Sequence, residues 1–361
     1  MSFARGATIG EYEIVKALGS GGMGEVFEAV HPIIHKRVAI KVMRRAAHES
    51  LTEARRLLEE ARAVNSIRHP GIIDIFGANV LPDGRPYLVM ELLEGQSLHD
   101  FIKTNQPLSL GDVFGLLEGI LAPLAAAHRA GVIHRDLKPT NIFVARGPSA
   151  RTVKLLDFGV ALRREREPLT APEMTLGSLG FMSPEQLNGA TVAQSDLYSV
   201  GCIAWLLITG RPVFAYGNVM ELARHHLLTR PPPIGSVRGE VTAALEEWVA
   251  SMLEKEPSAR PGSANEALSR LKEVQEQLAS ETTVRPGTLR ALMAQRADQV
   301  PIDEVETRRL PILRGPVPRV PNAPHEAKTL HDALRGPPPS APADDADDDL
   351  TIKIDSPKGG R

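Results

Sequence analysis

Proline placement constrains this chain more than any other feature. Of the 29 prolines in 361 residues, those at 286, 301, 311, 316, 318, 321, 324, 337, 338, 339, 342 and 357 crowd behind Ala279. Proline lacks the amide hydrogen a helix needs and clashes with the preceding turn. Only Thr288 to Gln299 is left with a useful uninterrupted helical length. The same stretch has no Phe, Tyr or Trp and ends in an acidic run, Asp344 to Asp349. So little apolar surface does not offset the entropy of ordering the backbone. Residues 276–361 are therefore expected to be a disordered tail, and folding falls to the residues before it.

Lys and Arg number 42 against 44 Asp and Glu, a formal net charge of −2. That balance gives no reason to bind nucleic acid or an anionic membrane. The single cysteine, Cys202, excludes an internal disulfide framework and a Cys-rich zinc site, and its apolar surroundings read as a buried small hydrophobe. The most hydrophobic stretch, Leu197 to Ile208, is too short to span a bilayer, and no apolar run of roughly 18–20 residues is read in the chain. The start, MSFARGATIGEYEIVKAL, lacks the apolar core of a secretory signal. A cytoplasmic protein with no membrane span is the expectation.

The folded part divides again. After an extension, residues 1–11, the segments YEIVKAL, EVFEAV and RVAIKVM favour strands and are separated by glycines. A helix is predicted from Leu51 to Ile67, with Leu51, Ala54, Leu58, Ala61 and Val64 near one face. Two more strands, Ile72–Asn79 and Pro86–Leu92, flank the turn Pro82-Asp83-Gly84. Beyond Gly95 the pattern is helical over 109–130, 184–188, 195–209, 218–228, 241–253 and 263–278. It is interrupted by a hairpin, 141–144 and 153–159. This is an α+β fold: a β-rich lobe over about 12–94, a helical lobe over about 95–275, and a cleft between them.

Gly19-Ser20-Gly21-Gly22-Met23-Gly24 matches G-x-G-x-x-G, in which glycines let the backbone approach phosphate oxygens closely. In dinucleotide-binding folds this motif opens a helix. Here Glu25 to Val30 alternates like a strand, which favours a glycine-rich hairpin laid over a nucleotide. Val38-Ala39-Ile40-Lys41 then puts one lysine in a strand of core residue types. A solvent-facing lysine is the bland alternative; a functional one would grip phosphates and need a carboxylate to hold it. Glu59 shares the polar face with Arg55, Arg56 and Arg62. Glu60, with Leu57 three residues before and Val64 four after, points inward and is the better partner for Lys41.

His134-Arg135-Asp136-Leu137-Lys138-Pro139-Thr140-Asn141 is followed, sixteen residues after Asn141, by Asp157-Phe158-Gly159. With the glycine loop, Val38-Ala39-Ile40-Lys41 and Ser183-Pro184-Glu185, these stand in the order that marks protein kinases. Over roughly residues 11–275 the chain resembles the bacterial eukaryotic-like serine/threonine kinases. The resemblance implies a two-lobed kinase fold, ATP and Mg²⁺ as cofactors, and transfer of the γ-phosphate to Ser/Thr hydroxyls of protein substrates and of the chain itself. It implies Asp136 as base, Lys138 steadying the γ-phosphate, Asp157 and Asn141 on Mg²⁺, and the Lys41–Glu60 pair on the α/β-phosphates. Leu18 to Gly24 would cover the nucleotide, Val26, Ala39 and Phe143 would sandwich adenine, Met90 would back the pocket, and Glu91 to Leu93 would form the hinge. Glu185 would pair with Arg260, Asp196 would hold the catalytic loop, and His134 would stack with Phe158, Val64 and Ile75.

Arg135 before Asp136 implies an activation segment ordered by phosphate, with Thr170 and Thr175 as autophosphorylation candidates. Gly177-Ser178-Leu179-Gly180-Phe181-Met182 departs from the family's Gly-Thr-Pro-x-Tyr-Met: the serine keeps a hydroxyl, while the proline and tyrosine are lost. Thr282, Thr283, Thr307, Thr329 and Thr351 of the tail are candidate docking points for phosphothreonine-binding partners. A transient homodimer is a further expectation. The rival class is a non-catalytic pseudokinase. It is disfavoured by the presence of Lys41, Glu60, Asp136, Asn141 and Asp157 together.

Overall fold

The computed structural model describes residues 3–21, 24–43, 58–59, 61–147, 151–158, 176–215, 217–239 and 241–297, with side chains in the last helix up to 280. The first lobe is a six-stranded sheet in the order β1-β2-β3-β4-β6-β5. Its strands are β1 (Thr8–Ile9), β2 (Tyr12–Gly21), β3 (Gly24–Val30), β4 (Arg37–Met43), β5 (Ile75–Val80) and β6 (Pro86–Glu91), every pairing antiparallel. Part of the extension read over residues 1–11 joins this sheet as β1. β1 pairs with β2, and Ile9 is fully buried beside Phe27 and Tyr87. Phe3 and Ala7 pack against the same cluster, and the Gly6 amide donates to the Ile14 carbonyl at 2.9 Å, so contacts outside the two-residue strand also hold it.

Strand alternation sets up the cleft. With a period of two, Val38, Ile40 and Val42 fill the outer cluster with Ile14, Phe27 and Val89. Ala39, Lys41 and Met43 face the other way, toward the second lobe. Lys41 is only 8% exposed, so the reading as a solvent-facing strand lysine does not apply. The described part of the following helix, α1, covers residues 58–59 and 61–65. It buries Ala61 and Val64 and leaves Glu59 exposed.

The second lobe begins with β7 (Gly95–Ser97) and α2 (Leu98–Asn105), which the periodicity did not announce. Ser97 caps α2 by accepting from the Asp100 amide. α3 (Leu110–Arg129) is long and apolar enough to cross a membrane by length and composition, with a mean hydropathy of 1.5. This corrects the expectation that no apolar run reached that length. Val113, Phe114, Leu117, Ile120, Leu121 and Leu124 of α3 are instead buried in the protein core. β8 (Ile142–Arg146) and β9 (Arg151–Leu155) complete a three-stranded sheet, β7-β8-β9, and β9 ends before Asp157.

The one-turn helices α4 (Leu176–Leu179) and α5 (Pro184–Leu187) precede α6 (Ala193–Thr209), which is buried nearly all round. Such a helix belongs in the centre of a lobe. A Cβ on its Gly201 would sit 2.9 Å from Met252 Cβ, so glycine lets the next layer approach. That layer comprises α7 (Val219–Leu228), α8 (Ala243–Met252) and α9 (Ala264–Ala297). α9 continues past residue 276, where a disordered tail was expected to begin, and takes in residues 288–297 of the one tail segment read as able to form a helix. The residues between Ala264 and Arg285 carry no proline and are dominated by helix formers. Residues 298–361, with the rest of the tail, lie outside the described residues.

Beneath α6 lies a buried polar knot. Tyr198 Oη and His226 Nδ1 are 3.0 Å apart, and Lys255 Nζ donates to Tyr198 Oη at 3.2 Å and to the His226 carbonyl at 2.8 Å. Burial, then the charges of Lys255 and His225, depress the His226 pKa to about 3. The folded state therefore keeps His226 neutral where the unfolded chain, near 6.5, takes a proton. Its contribution is complete above pH 6.5 and shrinks as pH falls, by about 1.4 kcal/mol per unit well below 6.5. Thermal midpoints measured between pH 7.5 and 5, above most carboxylate titration, should fall for the native chain. They should fall less steeply for His226→Gln; equal slopes would exclude His226 as the cause.

Candidate active site

The loop between α3 and β8 is held from below by one buried carboxylate. Asp196, in the first turn of α6 and 1% exposed, accepts from the His134 amide at 2.8 Å, the Arg135 amide at 2.9 Å and His128 Nε2 at 2.8 Å. Three donors offset much of the cost of burying its charge. They also hold Arg135 at φ 68°, a left-handed conformation that costs a non-glycine residue of order 1–3 kcal/mol. His134 is fully buried, bonds the Leu156 carbonyl through Nε2 at 2.9 Å and packs its ring 4.6 Å from that of Phe158. Phe158, Val64 and Ile75 share the main core.

Held this way, Asp136 becomes the centre of a polar network. Lys138 Nζ lies 2.7 Å from Asp136 Oδ2 and donates to Ser178 Oγ at 2.8 Å. Asn141 Nδ2 donates to the Asp136 carbonyl at 2.8 Å and to Oδ2 at 2.9 Å. That spends the nitrogen of the Asn141 amide and leaves its oxygen for a cation. The hydroxyl that replaced the family's threonine thus sits on Lys138. The loss of the tyrosine leaves the main chain held, because Ser199 Oγ donates to the Phe181 carbonyl at 2.7 Å.

Across the cleft, Lys41 Nζ lies 2.7 Å from Asp157 Oδ1. Asp157 is the second non-glycine residue here with positive φ, 52°. Glu60, chosen from the sequence as the partner of Lys41, lies outside the described residues, as do Gly22, Met23, Thr170 and Thr175. Gly24 closes the hairpin over the cleft. A Cβ there would meet the Val42 carbonyl at 2.2 Å, so only glycine fits. Gly19, Ser20 and Gly21 line the exposed tip of β2, and Leu18 is 45% exposed.

A small apolar cluster lies between sheet and loop: Ala39, Ile73 and Met90, with Val26, Leu92, Leu93 and Leu156 packed against it. Ala39 and Met90 are register partners on β4 and β6. Ile73 and Leu156, read only as parts of the strands expected over 72–79 and 153–159, lie just outside β5 and β9 and join this cluster. Phe143 lies outside this cluster on β8, its ring edging Gly95. The Glu91 carboxylate is engaged by Lys154 Nζ at 2.5 Å and by the Asp74 amide at 2.9 Å, which ties the strand end to β9. Lys154, His128 and Gln186 escaped the sequence reading. Gln186, three residues after Ser183 at capping-box spacing, was the one with a legible signal among them.

Glu185 and the buried Arg260 form a bidentate pair at 2.7 and 2.8 Å, the geometry of a paired structural charge. Burial raises the Glu185 pKa, but the hydrogen bonds from Arg260 and Ser195 outweigh it and hold the carboxyl below its ordinary value. The protein kinase domain family matches residues 12–271, which contain the whole of this arrangement. The chain belongs to that family.

This kinase domain is 42% identical over 263 residues to the serine/threonine-protein kinase Pkn1 of Myxococcus xanthus, covering 71% of this chain and 37% of Pkn1. It is 33% identical over 271 residues to PknB of Mycolicibacterium smegmatis, covering 73% of this chain and 43% of PknB. The chain thus spans well under half the length of these relatives. A double mutant of the Mycobacterium tuberculosis PknI kinase domain shares the fold, with a TM-score of 0.62 at 24% identity over 76% of this chain and 99% of that one. The domain is of the bacterial serine/threonine kind, a family that uses ATP and divalent metal on protein substrates.

Proposed function

We propose that the chain transfers the γ-phosphate of ATP to Ser/Thr hydroxyls of proteins, itself included. The reading is carried by Lys138, which joins Asp136 to Ser178 within hydrogen-bond distance of both. A base, a cation and a hydroxyl on the substrate-side loop converge there. Asp136 orients the incoming hydroxyl and takes its proton as the new O–P bond forms and the bond from the γ-phosphorus to the bridging oxygen breaks, with ADP leaving. Lys138 steadies the transferring group. Lys41, buried in the cleft and held by Asp157 at 2.7 Å, with Glu60 as its proposed second partner, grips the α/β-phosphates. Leu18 to Gly24, Val26, Ala39, Met90, the hinge from Glu91 to Leu93, and Phe143 enclose the nucleotide.

The donor set fits Mg²⁺. Asp157 offers a second carboxylate oxygen and Asn141 an amide oxygen, both hard ligands suited to a cation that otherwise takes waters and phosphates. No group of three His, Cys, Asp or Glu side chains stands ready for a metal among the described residues, and Mg²⁺ shared with phosphates does not require one. When bound, the cation neutralises phosphate charge.

Autophosphorylation of Thr170 or Thr175, recruitment of phosphothreonine-binding partners by the tail, and work in the ATP-rich cytoplasm belong to the same proposal and rest on the sequence. A transient homodimer is supported by Ile33 and Ile34, 80% and 65% exposed at the β3–β4 turn, where Lys36 reaches over the exposed Phe76 ring. Labelled γ-phosphate should pass to the chain and to a generic basic protein. Lys41→Met and Asp157→Asn should each abolish the transfer. Undiminished labelling in both variants would overturn the reading.

A further inference from the structure

The peptide unit just before Asp136 is held by two bonds. Its amide hydrogen goes to the His134 carbonyl at 2.9 Å, and its oxygen, that of Arg135, accepts from Gln186 Nε2 at 2.7 Å. Gln186 lies fifty-one residues further on, in α5, and is only partly exposed. Its other amide atom, Oε1, accepts from the Ser183 amide and from Ser183 Oγ, each at 3.1 Å, and Ser183 Oγ accepts in turn from the Gln186 amide at 3.4 Å. This is a capping box with a second use. The box fixes which end of the amide is oxygen, and so aims the nitrogen at Arg135.

We propose that Gln186 is a positioning residue. Through one side-chain amide it couples the substrate-side loop, anchored by Ser183, to the strained backbone that presents Asp136. The inference rests on the phosphotransfer reading above and adds to it the means by which substrate-loop order reaches the base. Arg135 is held open at φ 68° by Asp196 on its amide side and by Gln186 on its carbonyl side. Removing the second support lets the peptide plane turn, and Asp136 turns with it. A misplacement of about 1 Å at a reacting group costs up to about 100-fold in rate.

Gln186→Glu separates this role from mere helix capping. Glutamate completes a capping box as well as glutamine does, so α5 keeps its cap. The atom facing the Arg135 carbonyl changes from a donor to a charged acceptor, and two acceptors repel. In the full chain, thermal stability should stay within about 2 °C of the native protein, KM for ATP within about twofold, and kcat at pH 8 should fall about 10- to 100-fold. Hydrogen exchange over residues 134–141 should quicken in the variant without nucleotide.

A native kcat in the variant, or a loss of kcat that comes with a fall in thermal midpoint of more than about 2 °C, would overturn the positioning role. So would unchanged exchange in that loop. If the native chain transfers no phosphate, the phosphotransfer reading fails, and the exchange measurement still decides whether Gln186 holds the loop.

Discussion

Asp136→Asn is expected to lower kcat by about 10²- to 10⁴-fold, the range for loss of a positioned proton acceptor. The structure adds a reason beyond lost basicity. Lys138 Nζ and Asn141 Nδ2 both aim hydrogens at the Asp136 carboxylate, the first at 3.0 Å from Oδ1 and 2.7 Å from Oδ2, the second at 2.9 Å from Oδ2. A carboxylate accepts from both, because both its oxygens are acceptors and neither carries a hydrogen. The amide of Asp136→Asn would turn two hydrogens toward one of those donors, and the network would loosen along with the chemistry. KM for ATP should change little, since Lys41 and Asp157 are untouched. Steady-state transfer to a generic protein acceptor measures both constants, and a kcat within threefold of native would remove Asp136 from the reaction.

Glu185→Ala is expected to cost about 3–5 kcal/mol of stability, the usual result of stripping one partner from a buried ion pair. Arg260 has no exposed side-chain surface, and its guanidinium also donates to the carbonyls of Glu254, Gln194 and Lys255. Without the carboxylate those dipoles carry a buried positive charge alone. Ser195 Oγ, 2.6 Å from Glu185 at the start of α6, would lose its acceptor as well. The thermal midpoint should drop by roughly 10 °C in a domain of this size. Replacing both members, Glu185→Met with Arg260→Met, should recover part of the loss, because no lone charge is then buried. A double variant less stable than Glu185→Ala would show that the carbonyl bonds, and not the pairing, dominate.

The native pair has its own pH window. Glu185 is held below its ordinary value, so its stabilisation is complete above about pH 4.5 and disappears as pH falls through the lower folded value. His226 acts earlier, from about pH 6.5 downward. Acid unfolding should therefore begin with the histidine and steepen at the carboxylate.

What could be read from the sequence followed from periodicity and from motif spacing. Val38, Ile40 and Val42 against Ala39, Lys41 and Met43 is a period of two that any strand obeys, and it put Lys41 in the cleft. The contiguous motif His134 to Asn141 brought Asp136, Lys138 and Asn141 together because eight residues cannot reach far. Long-range partners were harder. Gln186 meets Arg135, and Lys154 meets Glu91, across fifty-one and sixty-three residues, and the capping-box spacing of Gln186 says nothing of Arg135. α3 was read as a helix over 109–130, but Gly111, Gly115, Gly119 and Pro123 interrupt its hydrophobic residues and mask its mean hydropathy. Residues 276–285 of α9 carry no proline and extend the helix read over 263–278, whereas its passage through Pro286 has no signal in the sequence pattern.

Phosphoamino-acid analysis of a generic protein acceptor, incubated with the full chain, Mg²⁺ and γ-labelled ATP, tests the central claim most directly. Label should appear on serine and threonine with the native chain and disappear with Asp157→Asn. Label confined to tyrosine, or equal label from Asp157→Asn, would contradict the account.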